Sequence, residues 1–165
     1  MYCDWAAADF HARYDAVGKT YEYRIYHGPV LPPLEVQRAW HIFGALDEQA
    51  LHQAAALLQG RHNFARLSAN RGDMDEATRR ANVAGTTRTI YHVQLQRQGP
   101  LVCLRFHGEG FLYKMVRLMV GAMVHIARGK ADLTWLQELL QNSAGEKNHH
   151  CAPADGLYLV SVDYD

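Results

Sequence analysis

Arg117 is the residue whose surroundings have the most to explain. If the apolar run around it is helical, its neighbours at i−4, i+3, i+4 and i+7 are Tyr113, Val120, Gly121 and Val124. A guanidinium on such a face is not buried alone, because an unpaired buried charge is costly. Either its head reaches water along its own stem, or it pairs with a carboxylate from outside the helix. Tyr21 and Tyr23 stand two apart, so on a strand they share one face. Rings there usually pack. Tyr21 could instead offer its ring to an unpaired nucleobase, since stacking on aromatics is the common way to hold one. A third feature is the stretch from Arg61 to Arg88, where six arginines face three acids, Asp73, Asp75 and Glu76. Arginine forks suit phosphate, and the same pattern also describes an ordinary solvated surface.

Other chemistries find less support. His149, His150 and Cys151 adjoin, but no second Cys or His pair sits at zinc spacing, and the remaining histidines are scattered. No metal site is expected. There is no phosphate loop, dinucleotide fingerprint or nucleophile elbow. The pair of glycines in Gly108-Glu109-Gly110 precedes the central helix and either admits a substrate to its N-terminus or simply makes a turn.

The elements that must position these residues follow from periodicity. Tyr21 to Tyr26 alternates apolar and charged residues, a strand signature. Asp47 is placed to cap a helix reaching about Gln59, with Leu51, Ala54, Ala55 and Leu58 on its apolar face and Gly60 at its end. Residues 61–82 read as irregular. Thr86 to Arg97 and Leu101 to Phe106 form a hairpin about Gln98-Gly99-Pro100. Phe111 to Arg128 is the strongest helix, apolar on most of its surface and so largely buried, with Gly129 as its stop. A shorter helix near Leu133 to Leu140 takes Asp132 as cap. Residues 142–151 read as a polar loop, and Gly156 to Val162 as a final strand. This mixture predicts one α+β domain over residues 1–165 with a mainly antiparallel sheet flanked by helices. Residues 20–26, 87–97 and 101–107 belong to that sheet.

Composition sets the outer bounds. The 165 residues are 48% apolar and 21% charged, which fits a chain that buries its own core. Three widely spaced cysteines, an odd number, point to reduced thiols. The longest apolar segment is broken by Lys114, Arg117 and His125, and no signal peptide is visible, so a cytoplasmic, non-membrane protein is expected. Formal net charge is zero, which argues against a uniformly basic nucleic-acid binder and leaves the local distribution to decide.

Several segments, in order, resemble the TruA-type tRNA pseudouridine synthases. Phe10-His11-Ala12-Arg13-Tyr14 is similar to the family's F-H-A-R-F, and Lys19-Thr20-Tyr21-Glu22-Tyr23-Arg24-Ile25 to its tyrosine-containing strand. Leu58-Gln59-Gly60-Arg61-His62-Asn63-Phe64 resembles L-x-G-x-H-D-F, with Asn63 where Asp is usual, and Arg88-Thr89-Ile90 matches an R-x-I strand start. Gly110 to Gly121 matches G-F-L-x-x-M-V-R-x-M-V-G, and Ala152 to Leu159 resembles the closing A-P-x-x-G-L-x-L.

The resemblance implies a C-terminal portion of such an enzyme. It implies the pseudouridine synthase fold, isomerisation of uridine to pseudouridine in the anticodon stem-loop region of tRNA, a homodimer, and no cofactor. It places the arginine that pairs with the catalytic aspartate at Arg117 and the base-contacting tyrosine at Tyr21. Phe111 joins Tyr21 in substrate binding, with Arg61, Arg66 and Arg88 as phosphate contacts. One departure is large. The family's aspartate sits in an R-T-D-A-G segment upstream of F-H-A-R-F, and the 165 residues contain no such segment. The chain alone is therefore expected to be inactive. The alternative is a non-catalytic RNA-binding or scaffold remnant of the same fold.

Overall fold

The structure is a computed structural model that describes residues 6–12, 14–69 and 85–165. Its centre is strand β1, Ala16–His27, twelve residues long. Along β1 the side chains alternate. Tyr23 and Ile25 are fully buried under the helices, and Glu22 lies on the other face. β2 is Trp40–Ile42, β3 Gly60–Asn63, β4 Thr87–Gln98, β5 Leu101–Gly108 and β6 Leu157–Tyr164. The sheet order is β2-β1-β5-β4-β3, and β6 pairs with β1 beside β2. Every pairing is antiparallel except β1 with β2. The expected α+β class, the three expected strands and the hairpin are all present. β2 and β3 were not legible: each is short, and β3 falls within the stretch read as irregular. Residues 70–84 of that stretch lie outside the described residues.

One polar contact pins the register of β1. Glu22 stands opposite Arg105 in the β1–β5 ladder, accepting from Arg105 Nε at 2.7 Å and from Arg24 Nε at 2.8 Å. Burial alone would push the Glu22 carboxyl up, but the hydrogen bonds and charges of Arg105 and Arg24 outweigh it and hold it below the usual carboxylate range. A one-residue slip of β1 would carry this paired carboxylate to the helix side and the Tyr23 ring to the other.

Three helices cover the Tyr23 face. α1, Glu48–Leu58, is capped by Asp47, which accepts from the Ala50 amide, and it buries the four apolar residues its spacing selects. α2, Met115–Ala127, is buried all round except at Arg117 and His125. It ends at Gly129 (φ 67°). α3, Leu133–Gln141, is capped by Asp132 through the Trp135 amide. α2 starts four residues later than the apolar pattern predicts. Lys114 takes a left-handed conformation (φ 58°), which stops the helix propagating backward. Phe111 to Tyr113 therefore form a loop, and Ala69 donates to the Tyr113 carbonyl.

Arg117, Gly121 and His125, at i, i+4 and i+8, form one stripe of α2, and residues 148–152 run along it as a strap. At Gly121 an added Cβ would lie 1.7 Å from the His150 carbonyl oxygen. The His150 ring stacks on His125 with centroids 3.7 Å apart. Burial, His150 and Lys130 all hold His125 below its ordinary value. The polar composition of 142–151 reads as a free loop, yet Asn148 is buried within it. Gly121→Ala tests this packing. Alanine favours a helix over glycine by about 1 kcal/mol. Against that, the clash is with backbone oxygen, and overpacking costs about 1–3 kcal/mol or more. The variant is expected to lose stability, read as a lower urea midpoint at unchanged m-value.

Candidate active site

Arg117 reaches the strap with its side chain. Its Nε donates to the Ala152 carbonyl at 2.7 Å, and the Ala152 amide donates back to the Arg117 carbonyl at 3.0 Å. The guanidinium is half-buried. Among the described residues no carboxylate stands in ion-pair range of it. Of the two settings open to this residue, part of each applies. One edge is fixed to a protein carbonyl, and among the described residues no carboxylate holds the terminal nitrogens.

Tyr23 joins the same cluster from β1. Its hydroxyl donates to the Pro153 carbonyl at 2.7 Å. Burial pushes its phenol above the ordinary range, and the charge of nearby Arg117 only partly offsets this. The closing segment must come very near for this contact. A Cβ at Gly156 would lie 2.6 Å from the Arg24 carbonyl oxygen and 2.9 Å from the Tyr23 ring. The Gly156 carbonyl accepts from the Arg24 amide at 2.8 Å. The strand, helix and closing segments, far apart in sequence, thus meet at one place.

Tyr21 lies one pleat further along the same face and packs edge-on against Phe111, with ring centroids 5.1 Å apart at 81°. Both rings stay half-exposed, so this pair is packed against the core and still offers aromatic surface. The loop form of residues 111–114 brings Phe111 to Tyr21. Arg88 stands at the start of β4 beside Gly110, where a Cβ would sit 3.9 Å from its Nε. Its Nη1 donates to the Gly85 and Thr87 carbonyls at 2.6 Å each. Tyr21 and Phe111 are thus in contact, and Arg88 lies beside the residue that precedes Phe111.

The other two arginines differ from each other. Arg61 is exposed on β3. Arg66 spends Nε on the Glu146 carbonyl at 2.7 Å and Nη1 on the Glu138 carbonyl at 3.1 Å, tying the end of α3 to the strap's approach. Among the described residues one cleft of about 180 Å³ lies between strap and α3 and another of about 210 Å³ on the opposite sheet face. Arg117, Tyr21 and Phe111 line neither of these. Among the described residues no three of His, Cys, Asp or Glu are grouped to hold a metal ion, and no helix is long and apolar enough to cross a membrane.

Comparison with known proteins decides the family. The family model described as tRNA pseudouridine synthase matches residues 54–165. The chain belongs to the tRNA pseudouridine synthase family. A tRNA pseudouridine synthase A of Methylacidiphilum infernorum is 39% identical over 94% of the chain and 58% of its own length. The enzyme of that name from Akkermansia muciniphila is 40% identical over 99% of the chain and 61% of its own length. That from Syntrophotalea carbinolica is 39% identical over 94% and 58%. The chain thus spans about three fifths of the curated relatives it matches. Within the pseudouridine synthase family reading, the Tyr23–Pro153 contact and the strap are what sequence alone missed. The available signal was Gly121, a small residue in line with Arg117 and His125.

Tyr23→Phe tests how the closing segment is held. Loss of the buried hydrogen bond is expected to cost about 1–2 kcal/mol at neutral pH. The alkaline limb carries the second signature. The folded chain keeps a phenolic proton that the unfolded chain releases near its ordinary pKa of about 10. The contribution of Tyr23 is therefore intact below that value and lost as pH rises through and beyond it. Urea midpoints across that range should fall for the parent chain and fall less for Tyr23→Phe.

Proposed function

We propose that this chain forms the wall of a pseudouridine synthase site that receives the target uridine and supplies the cation for a catalytic aspartate borne on an R-T-D-A-G segment. The observation that supports it most is Arg117, fixed through Nε to Ala152 with no carboxylate of the described residues in ion-pair range. An arginine within about 4–6 Å holds a carboxylate ionised, which a nucleophile at this site requires. The uridine leaves its stack at a cost of a few kcal/mol, offset by stacking on Tyr21 and Phe111 and by arginine–phosphate contacts. The N1–C1′ bond then breaks with N1 keeping the electron pair, the base turns, C5 bonds to C1′ and gives up its proton to solvent, and N1 takes up a proton, so the product is an isomer of the substrate. The substrate is uridine in the anticodon stem-loop region of tRNA, and the working form is a cytoplasmic homodimer that needs no cofactor. The chain alone, lacking the aspartate, is inactive.

Tritium release from C5-labelled uridine in tRNA tests this. The 165-residue chain is expected to give none above the no-enzyme level, and real turnover would mean that it holds another nucleophile. Joining an R-T-D-A-G-bearing N-terminal part of a family enzyme ahead of Phe10 should create activity. Arg117→Ala in that chimera should lower it by about a hundredfold or more, the scale of breaking a buried ion pair. A chimera that binds tRNA without turnover would favour the non-catalytic RNA-binding reading.

Binding to tRNA carries a separate expectation. Arg61 and Arg88 are the phosphate contacts to remove, because Arg66 also holds the fold together. Arg61→Ala with Arg88→Ala should weaken binding to all tRNAs alike and flatten the log–log salt slope by about one unit per lost contact. An anisotropy titration across a salt series measures it, and an unchanged slope would return these arginines to plain surface.

A further inference from the structure

We propose that Asn148 is a positioning residue for Arg117, holding the strap whose Ala152 carbonyl fixes the guanidinium. Nothing in the resemblance assigns it a role. Asn148 is only 5% exposed, unusual for an amide in a stretch whose neighbours on both sides are exposed. Both ends of its side-chain amide and its backbone N–H are engaged. Its backbone amide donates to the Arg66 carbonyl at 2.9 Å. Its Nδ2 donates to the Leu118 carbonyl at 2.8 Å and, more weakly, to the His150 carbonyl at 3.4 Å. Its Oδ1 accepts from the His150 amide at 2.9 Å.

The partners show what this side chain does. Leu118 is the residue after Arg117 on α2. The Asn148–Leu118 bond and the Ala152–Arg117 bond therefore attach the strap to two successive carbonyls of one helical turn. Between those points the His150 carbonyl rests on Gly121. Anchored this way, the Ala152 carbonyl has one place to be, and Arg117 Nε donates to it. An arginine side chain carries several rotatable bonds, and holding one edge of the guanidinium removes most of that freedom before any carboxylate arrives. Without the Asn148 side chain the His150 amide loses its partner and the strap loses its bond to the Leu118 carbonyl, leaving the backbone bond to Arg66, the His150 contacts and the Ala152 end. This rests on the reading that Arg117 serves the site, but its test does not involve RNA.

The test is solvent exchange at arginine Nε–H, followed by NMR in the full chain, with Arg117→Lys assigning the signal. Arg24 and Arg105 serve as internal controls, because their Nε–H groups are held by Glu22 on the far face of the sheet. Asn148→Ala should speed exchange at Arg117 about tenfold or more, the scale of one lost hydrogen bond, while Arg24 and Arg105 stay as they were. Asn148→Ser is the milder variant if alanine prevents folding. Serine can still accept from the His150 amide but is too short to reach the Leu118 carbonyl, so the same selective change is expected. Unchanged Arg117 exchange, or equal acceleration at all three arginines, would overturn the proposal and reduce Asn148 to general stabilisation. Either result leaves the tritium assay free to succeed or fail separately.

Discussion

The approach of the 148–152 strap to Gly121 is the constraint on which the rest of the site depends. A backbone carbonyl can lie on a helix only where no side chain intervenes, and a Cβ at Gly121 would occupy the space of the His150 oxygen. From that contact the chain continues to Ala152, which meets Arg117, then to Pro153, which meets Tyr23, and to Gly156, which lies against the ring of Tyr23. Remove the first contact and the others lose their registration. Much of the bonding is to main-chain carbonyls, not to other side chains. Carbonyl positions are set by a whole segment, so the geometry depends on how that segment is anchored.

The two faces of the sheet use arginine in opposite ways. On the open face, Arg24 and Arg105 close on Glu22, and the three charges largely settle among themselves. On the helix face, Arg117 is given a carbonyl and no carboxylate among the described residues. A carbonyl carries only a partial charge, so it orients the guanidinium without neutralising it. The cost is bearable because Arg117 is half-buried and water can still reach its head.

Much of this was legible in the residue pattern, and the parts that were not share a physical cause. α1 and its cap, the β4–β5 hairpin and the buried nature of α2 follow from periodicity, which reports one element against a generic apolar interior. The start of α2 did not follow, because Phe111 and Leu112 are apolar enough to continue the pattern, and only the left-handed Lys114 shows that they leave it. β2 and β3 are too short to display a period. The strap escaped altogether. Asn148, His149 and His150 are polar, and composition cannot distinguish a polar segment in solvent from one whose polar groups are satisfied by a helix. Arg117 and Tyr21 were singled out by spacing and by the resemblance, while Tyr23, assigned to packing, also proves to anchor the closing segment through its hydroxyl.

The same distinction bears on the arginine-rich stretch. Counting charges from Arg61 to Arg88 treats each guanidinium as equally available to a phosphate, but availability depends on what a fork already holds. Arg66 has two donors committed to carbonyls at 2.7 and 3.1 Å and links α3 to the strap's approach. Arg88 has one nitrogen shared between two carbonyls and lies beside the loop that carries Phe111. Arg61 is exposed on β3. A charge fixed by neutral carbonyls still projects its field, and no carboxylate among the described residues is paired with Arg66 or Arg88, so both contribute potential even where they make no direct contact. In a chain of zero net charge, a local positive field of this kind arises by satisfying arginines with carbonyls on one side of the molecule and with carboxylates on the other.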